Sequence, residues 1–454
     1  MLSLMAKVGT NCPKILCQTL IRQFSEFSRN TLIDASIGLN AEQRQLQEMA
    51  YQFSINEFRP HMREWDQNEY LPVDKLRKSA ELGFGGLYTP AEKGGTGLSR
   101  LDTSIVIEAL AQGCVSTTAL LSIHNMVCAM IAQFGNDRQI QTLIPDLVSM
   151  RKIGAYCLTE PNAGSDAANL ETRAQKFKDS YILNGTKSFI SGGGESDVFL
   201  VMCRTGGAGP KVEKGSEGLS FGHKESKMGW NSQPTRQVIL EDCKVSANNL
   251  LGSEGIGFNI AMSGINGGRV NIASCSLGGA QWALEETLRY TCDRKQFGQP
   301  IADFQNTRFE LATMASDLLS SRLAVRMAAK AMDDKQMGLD TNDTHIPVSS
   351  LCAMSKLLAT ERCHNIIDRC LQLFGGYGYL KDYPIQQLLR DTRVHRILEG
   401  TNEIMKVIIA KDLIDKHIES HLTNNSRKPM SFTNGISKDK SEHLLQNNRS
   451  AVAS

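Results

Sequence analysis

Tyr156-Cys157-Leu158-Thr159-Glu160-Pro161-Asn162-Ala163-Gly164-Ser165-Asp166 is the stretch on which the reading of this chain turns. An apolar, strand-like start runs into a loop of hydroxyls, carboxylates and a flexible glycine, a place where a strand end presents polar groups to a ligand. Taken alone, the loop reads equally as a surface turn. Its position says more, because the texture of the sequence changes here. Upstream, from Glu42 to Leu158, the pattern is helical, and Leu46, Met49, Ala50 and Phe53 fall on one stripe. Downstream, Tyr181-Ile182-Leu183, Asn184-Gly185 and Thr186 to Ser191 predict a hairpin, since Asn-Gly supplies the two positive φ values of a type I′ turn. Val198–Met202 and Gln237–Leu240 are further strand candidates. A small β domain is expected over 156–258.

After Gly268 the helical period returns. Leu311, Met314, Ala315, Leu318 and Leu319 mark one face, and Ala-rich helix follows to Met332. Asp333–Pro347 is polar and turn-rich and predicts an exposed loop. Helix is expected again from Leu351, with a break at Phe374-Gly375-Gly376-Tyr377-Gly378 and a last helix from Thr401 to about His421. Near the start, Gly83–Gly97 reads as a glycine-punctuated loop, and the helices after it are expected to end near Pro145. The layout is α, then β, then α, an α+β chain with domains expected at 39–155, 156–258 and 259–418. Residues 419–454, rich in Asn, Ser and Lys, are expected to form a disordered tail.

Composition excludes more than it identifies. In 454 residues, 50 Lys+Arg stand against 48 Asp+Glu, a formal net charge of +2, so no bulk field recommends nucleic acid or a membrane surface as partner. The longest uncharged run, between Glu108 and Asp137, is broken by Gln112, Ser116, His124, Asn125 and Gln133. It reads as a core helix rather than a lipid span, and no membrane insertion is expected. The 12 cysteines include no C-x-x-C pair, which predicts free, mostly buried thiols and no metal site. At the N-terminus Lys7, Lys14 and Arg22 precede the first carboxylate, Glu26, while Leu16, Leu20 and Ile21 give a loose apolar stripe. That predicts a mitochondrial transit peptide over residues 1–25, processed near Arg22-Gln23-Phe24-Ser25, and hence the mitochondrial matrix as location.

A second stretch, Gln372-Leu373-Phe374-Gly375-Gly376-Tyr377-Gly378, sets successive glycines where a backbone can approach a phosphate or ring. It lacks the spacing of a dinucleotide fingerprint or a P-loop. By itself Glu399 reads as a helix N-terminal carboxylate favoured by the macrodipole, and Arg294 as a solvated helix-end cation. The two stretches occur together with Phe189-Ile190-Ser191, Arg294-Lys295-Gln296-Phe297-Gly298 and Leu398-Glu399-Gly400-Thr401-Asn402-Glu403. In that combination the chain resembles the acyl-CoA dehydrogenase family of flavoenzymes, from about Leu39 to Leu413. The resemblance implies an N-terminal helical domain, a middle β-barrel or sheet domain, a C-terminal four-helix bundle, and FAD as cofactor. It also implies an acyl-CoA substrate, electron-transfer flavoprotein as electron acceptor, and a homotetramer.

Roles carry over by position. Glu399 matches the family's catalytic base, which removes the α-proton of a thioester while a β-hydrogen leaves as hydride to the flavin. Desolvation is expected to raise its pKa toward neutrality. Gly400 beside it leaves room for the thioester, and the Glu399 amide is expected to help hold the thioester oxygen. Cys157, Leu158, Thr159, Asp166, Phe189, Ile190 and Ser191 match flavin-lining segments, as do Thr401, Asn402 and Glu403. Arg294 and Phe297 match residues reaching the FAD of a neighbouring subunit, with Gln372, Leu373, Phe374, Gly375 and Gly376 as the partner loop. Ser165 is expected at the thioester, and Asn266, Gly267, Gly268, Arg269 and Lys411 toward the CoA moiety.

Within the family, Gly229-Trp230-Asn231-Ser232-Gln233-Pro234-Thr235 and Leu371–Tyr383 are most similar to the valine-catabolic branch, which implies isobutyryl-CoA converted to methacrylyl-CoA. A sibling preferring 2-methylbutyryl-CoA or a straight short chain, a silent scaffold relative and an acyl-CoA oxidase are the alternatives. Three departures from the family pattern stand out. Gly206–Lys211 leads almost directly into Val212-Glu213-Lys214-Gly215, so an apolar strand is expected to be missing and a ladder edge exposed. Asp333–Pro347 is an insertion. Lys411 stands where an Arg is common, which keeps the charge and loses the bidentate fork.

Overall fold

Asn40 opens the first helix. Its side chain accepts the N–H of Gln43 at 2.9 Å while Gln43 Oε1 accepts the N–H of Asn40 at 3.2 Å, a reciprocal cap. Helix α1 (Ala41–Glu57) then buries Leu46, Ala50 and Phe53, with Met49 packed against the same core, which is the stripe the spacing predicts. Helices α2 (Met62–Asn68) and α3 (Val73–Glu81) follow, and then the glycine-rich loop. A Cβ on Gly85 would lie 2.2 Å from the Val148 carbonyl oxygen, so that position needs glycine for close approach.

Helices α4 (Arg100–Ala111), α5 (Val115–Phe134) and α6 (Asp137–Val148) complete the helical start. The reading of a core helix between Glu108 and Asp137 holds, and the helices end within three residues of Pro145. By length and composition α5 is apolar enough to cross a membrane, although 89% of its apolar window is buried inside the protein. Helix α6 runs through Pro145 to Val148, because the proline falls in the last turn, where little helix remains to be broken.

The computed structural model describes residues 32–205, 211–339 and 346–426. The expected transit segment, Cys12, Cys17, residues 206–210, residues 340–345 and residues 427–454 lie outside the described residues. Among the described residues every cysteine is a free thiol, buried except for Cys292.

Strands β1 (Gly154–Cys157), β2 (Arg173–Phe177), β3 (Ser180–Ser191), β4 (Val198–Val201), β5 (Lys211–Glu213), β6 (Leu219–Phe221) and β7 (Thr235–Ser246) form two sheets. Their orders are β1-β4-β5, with β1 and β4 parallel, and β2-β3-β7-β6, antiparallel throughout. Inward residues of both sheets, among them Ala155, Phe199, Val201, Leu183, Val238 and Leu240, share one core.

The hairpin expected at Asn184-Gly185 is not there, and β3 runs straight through it. Asn184 and Asp242 bond each other across the pair (Nδ2 to Oδ1 3.0 Å, Asp242 N–H to Oδ1 2.8 Å), and Gly185 absorbs a bulge with φ 148°. The strand feared lost before Glu213 survives as the three residues of β5, because Val212 fills a fully buried site opposite Phe199. It covers Val198–Leu200 of β4 and stops short of Val201.

Helix α7 (Gly257–Asp293) spans 37 residues, about 55 Å, and is buried along much of its length. A hairpin follows: β8 (Lys295–Gln296) and β9 (Gln299–Pro300) are joined by Phe297 and Gly298, with φ of 53° and 83°. The type I′ geometry expected at Asn184-Gly185 is found here instead. Helices α8 (Gln305–Gln336), α9 (Val348–Phe374) and α10 (Ile385–Arg393) pack with α7, and Met314 and Leu318 are buried as the periodicity predicts. Asp333, read as the start of an exposed loop, still belongs to α8 and accepts the backbone N–H groups of Arg100 (2.6 Å) and Leu101 (3.0 Å) at the start of α4. The last helix, α11 (Asn402–Ser426), continues into the region expected to be tail. By compactness the chain divides into residues 1–409 and a terminal unit, 410–454.

Candidate active site

Between α10 and α11 the chain makes a turn in which two consecutive residues, Glu399 (φ 55°) and Gly400 (φ 85°), adopt left-handed backbone. Glycine does so freely, whereas for glutamate the conformation is strained and must be held by its surroundings. Two cations from the helices beneath hold it. Arg269 Nε on α7 donates to the Glu399 carbonyl at 3.2 Å. Lys356 Nζ on α9 donates to the Gly400 carbonyl at 2.9 Å and to Asn402 Oδ1 at 2.8 Å. Asn402 in turn donates to Thr360 Oγ1 (3.0 Å) and Glu361 Oε1 (2.8 Å), and Thr401 Oγ1 accepts the N–H of Ile404 at the start of α11.

The Glu399 side chain lies against Gly268 on α7. A Cβ on that glycine would sit 2.6 Å from the carboxylate carbon, and one on Gly267 would sit 2.5 Å from the Arg100 guanidinium. Burial pushes the Glu399 carboxyl up from 4.5 to about 7, and the opposing pull of Arg269 and Lys356 does not reverse it. A capping carboxylate in the helix dipole would move the other way. The Tyr156 hydroxyl on β1, buried without a hydrogen-bond partner, feels the Glu399 charge and is pushed up as well, chiefly by its own burial. Tyr156 and Lys356 escaped the sequence reading as parts of this site.

Next to the turn stands the loop after β1. Lys187, fully buried on β3, donates to the Leu158 carbonyl at 3.0 Å and to Glu160 Oε1 at 2.7 Å, and Glu160 also accepts the N–H of Thr172 at 3.0 Å. The Ser188 N–H takes the Thr159 carbonyl at 2.8 Å. With both carbonyls pinned, Leu158 and Thr159 are half-buried, while Ser165 and Asp166 are exposed beyond them. The Cys157 side chain points into the β core, so it can serve a ligand only through its backbone. Phe189, at φ 59°, is 71% exposed between the buried Ser188 and Ile190, with Ser191 half-buried at the end of the strand. Leu158 also lines a cleft of about 400 Å³, together with Ala167, Leu170, Met202, Phe258 and Ala261.

Other expected contacts fall elsewhere. Arg269 was expected to face the CoA moiety but is buried beneath the catalytic turn, where Asn266 Oδ1 also binds it at 2.9 Å. Asn402 spends its side chain inside the protein, and Phe374 is buried, stacked on Tyr290 at 4.2 Å. Burial leaves neither side chain open to a cofactor. Glu403 is exposed, and Lys411 is exposed on α11 within the terminal unit.

The remaining residues gather at the far end of α7. Arg294 lies 5.6 Å from the Tyr377 ring, which brings it beside the exposed Gln372, Gly375 and Gly376 and the half-buried Leu373. Phe297 is 94% exposed at its hairpin tip. This surface is about 39 Å from Gly268 along the helix. The segment 229–235 supports rather than lines the site: the Trp230 N–H donates to Asp391 at 2.6 Å and Asn231 to Asp66 at 3.0 Å.

The comparisons with known proteins agree with this arrangement. Family models described as the acyl-CoA dehydrogenase N-terminal, middle and C-terminal domains match residues 40–151, 155–243 and 255–414. The chain is 54% identical over 390 residues to the mitochondrial isobutyryl-CoA dehydrogenase of Bos taurus, which covers 85% of this chain and 92% of that one. To the Dictyostelium discoideum protein of the same name it is 52% identical over 391 residues, at the same coverage of 85% and 92%. Butyryl-CoA dehydrogenase from Megasphaera elsdenii superposes with a TM-score of 0.78 at 33% identity, over 83% of this chain and 99% of that one. With the α–β–α order, the Glu399 turn and three consecutive family domains in agreement, this chain belongs to the acyl-CoA dehydrogenase family.

Proposed function

We propose that this enzyme catalyses the FAD-dependent α,β-dehydrogenation of a short branched acyl-CoA, isobutyryl-CoA to methacrylyl-CoA. The observation that carries the reading is Glu399: a carboxyl raised to about 7, set against Gly268 in a turn that two buried cations hold in strained backbone. A thioester α-proton is weakly acidic, so its removal needs a base tuned near neutrality and already in place. The Glu399 N–H has no acceptor among the described residues and is free to receive the thioester oxygen as charge develops on it. Arg269, through the Glu399 carbonyl, fixes the peptide that follows, so base and amide keep their relative orientation.

The residues present fit FAD. Phe189 and the half-buried Leu158, Thr159 and Ser191 offer a flat, partly apolar edge at the ends of β1 and β3, with Ile190 buried behind them. Asp166, Thr401 and Glu403 stand at its border by the resemblance, and Ser165 faces the same exposed side. Arg294, Phe297 and Gln372–Gly376 offer a cation, an exposed ring and open glycine backbone suited to phosphate and adenine. When bound, the flavin supplies the acceptor for the β-hydride and passes its electrons on to electron-transfer flavoprotein. The two surfaces lie about 39 Å apart on one chain, which favours cofactor sites shared between copies, as in a homotetramer.

The proposed organisation is a transit segment over 1–25, domains over 39–155, 156–258 and 259–418, and a tail from 419, with the mitochondrial matrix as location. The named substrate of the two relatives above supports the branched acyl group. The test is anaerobic mixing of the purified protein with isobutyryl-, 2-methylbutyryl- and n-butyryl-CoA, reading the flavin absorbance. Fastest bleaching by isobutyryl-CoA is expected. A preference for either other thioester moves the enzyme to a sibling role, and no bleaching by any of them removes the dehydrogenase reading.

A further inference from the structure

Lys356 is fully buried on α9, and among the described residues it makes no ion pair. A buried ammonium that no carboxylate touches directly costs several kcal/mol of desolvation, which the more distant Glu399 and Glu403 charges offset only in part, and an apolar side chain of similar length would fill the site more cheaply. Its charge therefore calls for an explanation other than packing. Its hydrogen bonds go to the Gly400 carbonyl and Asn402 Oδ1, the two ends of the turn that begins at Glu399. Thr360, one helical turn further along the same face of α9, and Glu361 next to it take the other end of Asn402. Helix α9 thus grips residues 400–402 at three points, while Arg269 on α7 grips the carbonyl of 399.

We infer that Lys356 is a positioning residue for the catalytic base: its ammonium locks the peptide after Gly400, so holding Glu399 in left-handed backbone, and supplies positive charge beside its carboxylate. The inference rests on the proposed role of Glu399 as base. The groups that bear on the carboxylate are Arg269 from α7, Lys356 from α9 and Tyr156 from β1. Around Lys356 itself stand Arg269, Glu403 from α11 and His395 from the turn after α10, the last held neutral by burial at about 3. Burial lowers Lys356 to about 7, with Glu399 and Glu403 opposing it. A strained turn that loses its clasp relaxes, and a displacement of about 1 Å in a reacting group can cost on the order of a hundredfold in rate.

The test uses full-length holoenzyme carrying Lys356→Met and Lys356→Gln. Three quantities are read: the pH midpoint of flavin bleaching by isobutyryl-CoA, the Glu399 carboxylate band in substrate-free protein against Glu399→Gln by infrared difference, and hydrogen exchange of the Ile404 and Met405 amides, which Thr401 of the turn holds. In Lys356→Met both midpoints are expected to rise by on the order of one pH unit, and exchange of Ile404 and Met405 to quicken by about tenfold or more. Lys356→Gln keeps a donor for one carbonyl and loses the charge, so its exchange stays nearer the wild type while its midpoints still rise. Folded, FAD-bound variants with unmoved midpoints and unchanged exchange overturn the inference. Failure of both variants to fold overturns it too, by making Lys356 a folding residue. If the wild type itself is not bleached, the function reading falls, and the infrared midpoint still judges the effect of Lys356 on Glu399.

Discussion

The carboxylate of Glu399 occupies the space that a side chain on Gly268 would take, with 2.6 Å between its carboxylate carbon and the nearest possible Cβ. The obstructing atoms are the end of a flexible side chain, so Gly268→Ala is expected to push the base aside without unfolding α7. Bleaching by isobutyryl-CoA should slow by about a hundredfold or more, with FAD content unchanged. A folded Gly268→Ala enzyme with wild-type bleaching would separate Glu399 from the reacting atoms.

Glu399→Gln keeps the shape and removes the basic oxygen. It is expected to retain FAD and to lose substrate bleaching by at least about a thousandfold. In the wild type the bleaching rate should fall as pH drops through about 7, where the carboxyl becomes protonated and can no longer accept a proton. Rapid bleaching by the Gln variant, or a rate flat from pH 6 to 8, would remove Glu399 as the base.

The same carboxyl costs stability when ionised. Its folded value, about 7, lies above its ordinary 4.5, so the folded state holds the proton more tightly. The stabilisation from that proton is complete below pH 4.5 and is lost as pH rises through 7. At pH 8 Glu399→Gln should therefore be more stable than the wild type by about 1–3 kcal/mol, and at pH 4 indistinguishable from it. Denaturant unfolding at the two pH values measures this difference.

Lys187 and Glu160 form a fully buried pair beneath the loop after β1, at 2.7 Å. Lys187→Met leaves the Glu160 carboxylate without its cation and frees the Leu158 carbonyl, at an expected cost of about 3–5 kcal/mol. FAD should wash out faster on gel filtration. The double variant Lys187→Met, Glu160→Gln should recover much of the stability, since no buried charge is then left alone.

Asp333 accepts two backbone N–H groups at the start of α4. Asp333→Ala should cost about 1 kcal/mol in thermal or denaturant unfolding and leave bleaching unchanged. A larger loss, or an altered rate, would tie this corner to the active site.

Much of the fold could be read locally, because local chemistry decided it. The α1 stripe and the inward alternation of β3 and β7 need only periodicity and burial. Asn184-Gly185 misled, since the preference for a two-residue turn is weak beside twelve residues of ladder, and the Asn184 side chain found Asp242 instead. The turn that does form uses Phe297 at positive φ, which no propensity favours. Glu399 was legible only as one motif among several, and Arg269 was assigned to the CoA moiety because its burial could not be seen. Lys356 was illegible for a plainer reason. In Ala353-Met354-Ser355-Lys356-Leu357 it looks like any solvated helix lysine, and the carbonyl it serves is 44 residues away.

Helix α7 carries Gly268 near one end and leads to Arg294 at the other. If each cofactor is bound by the first end of one subunit and the second end of another, holding the flavin becomes a collective property, subject to dilution. Assembly and colour would then fade together as protein concentration drops. A substitution at Arg294 would weaken a neighbour's chemistry while leaving its own chain's base intact, so mixtures of wild-type and variant subunits would not behave as the average of their parts.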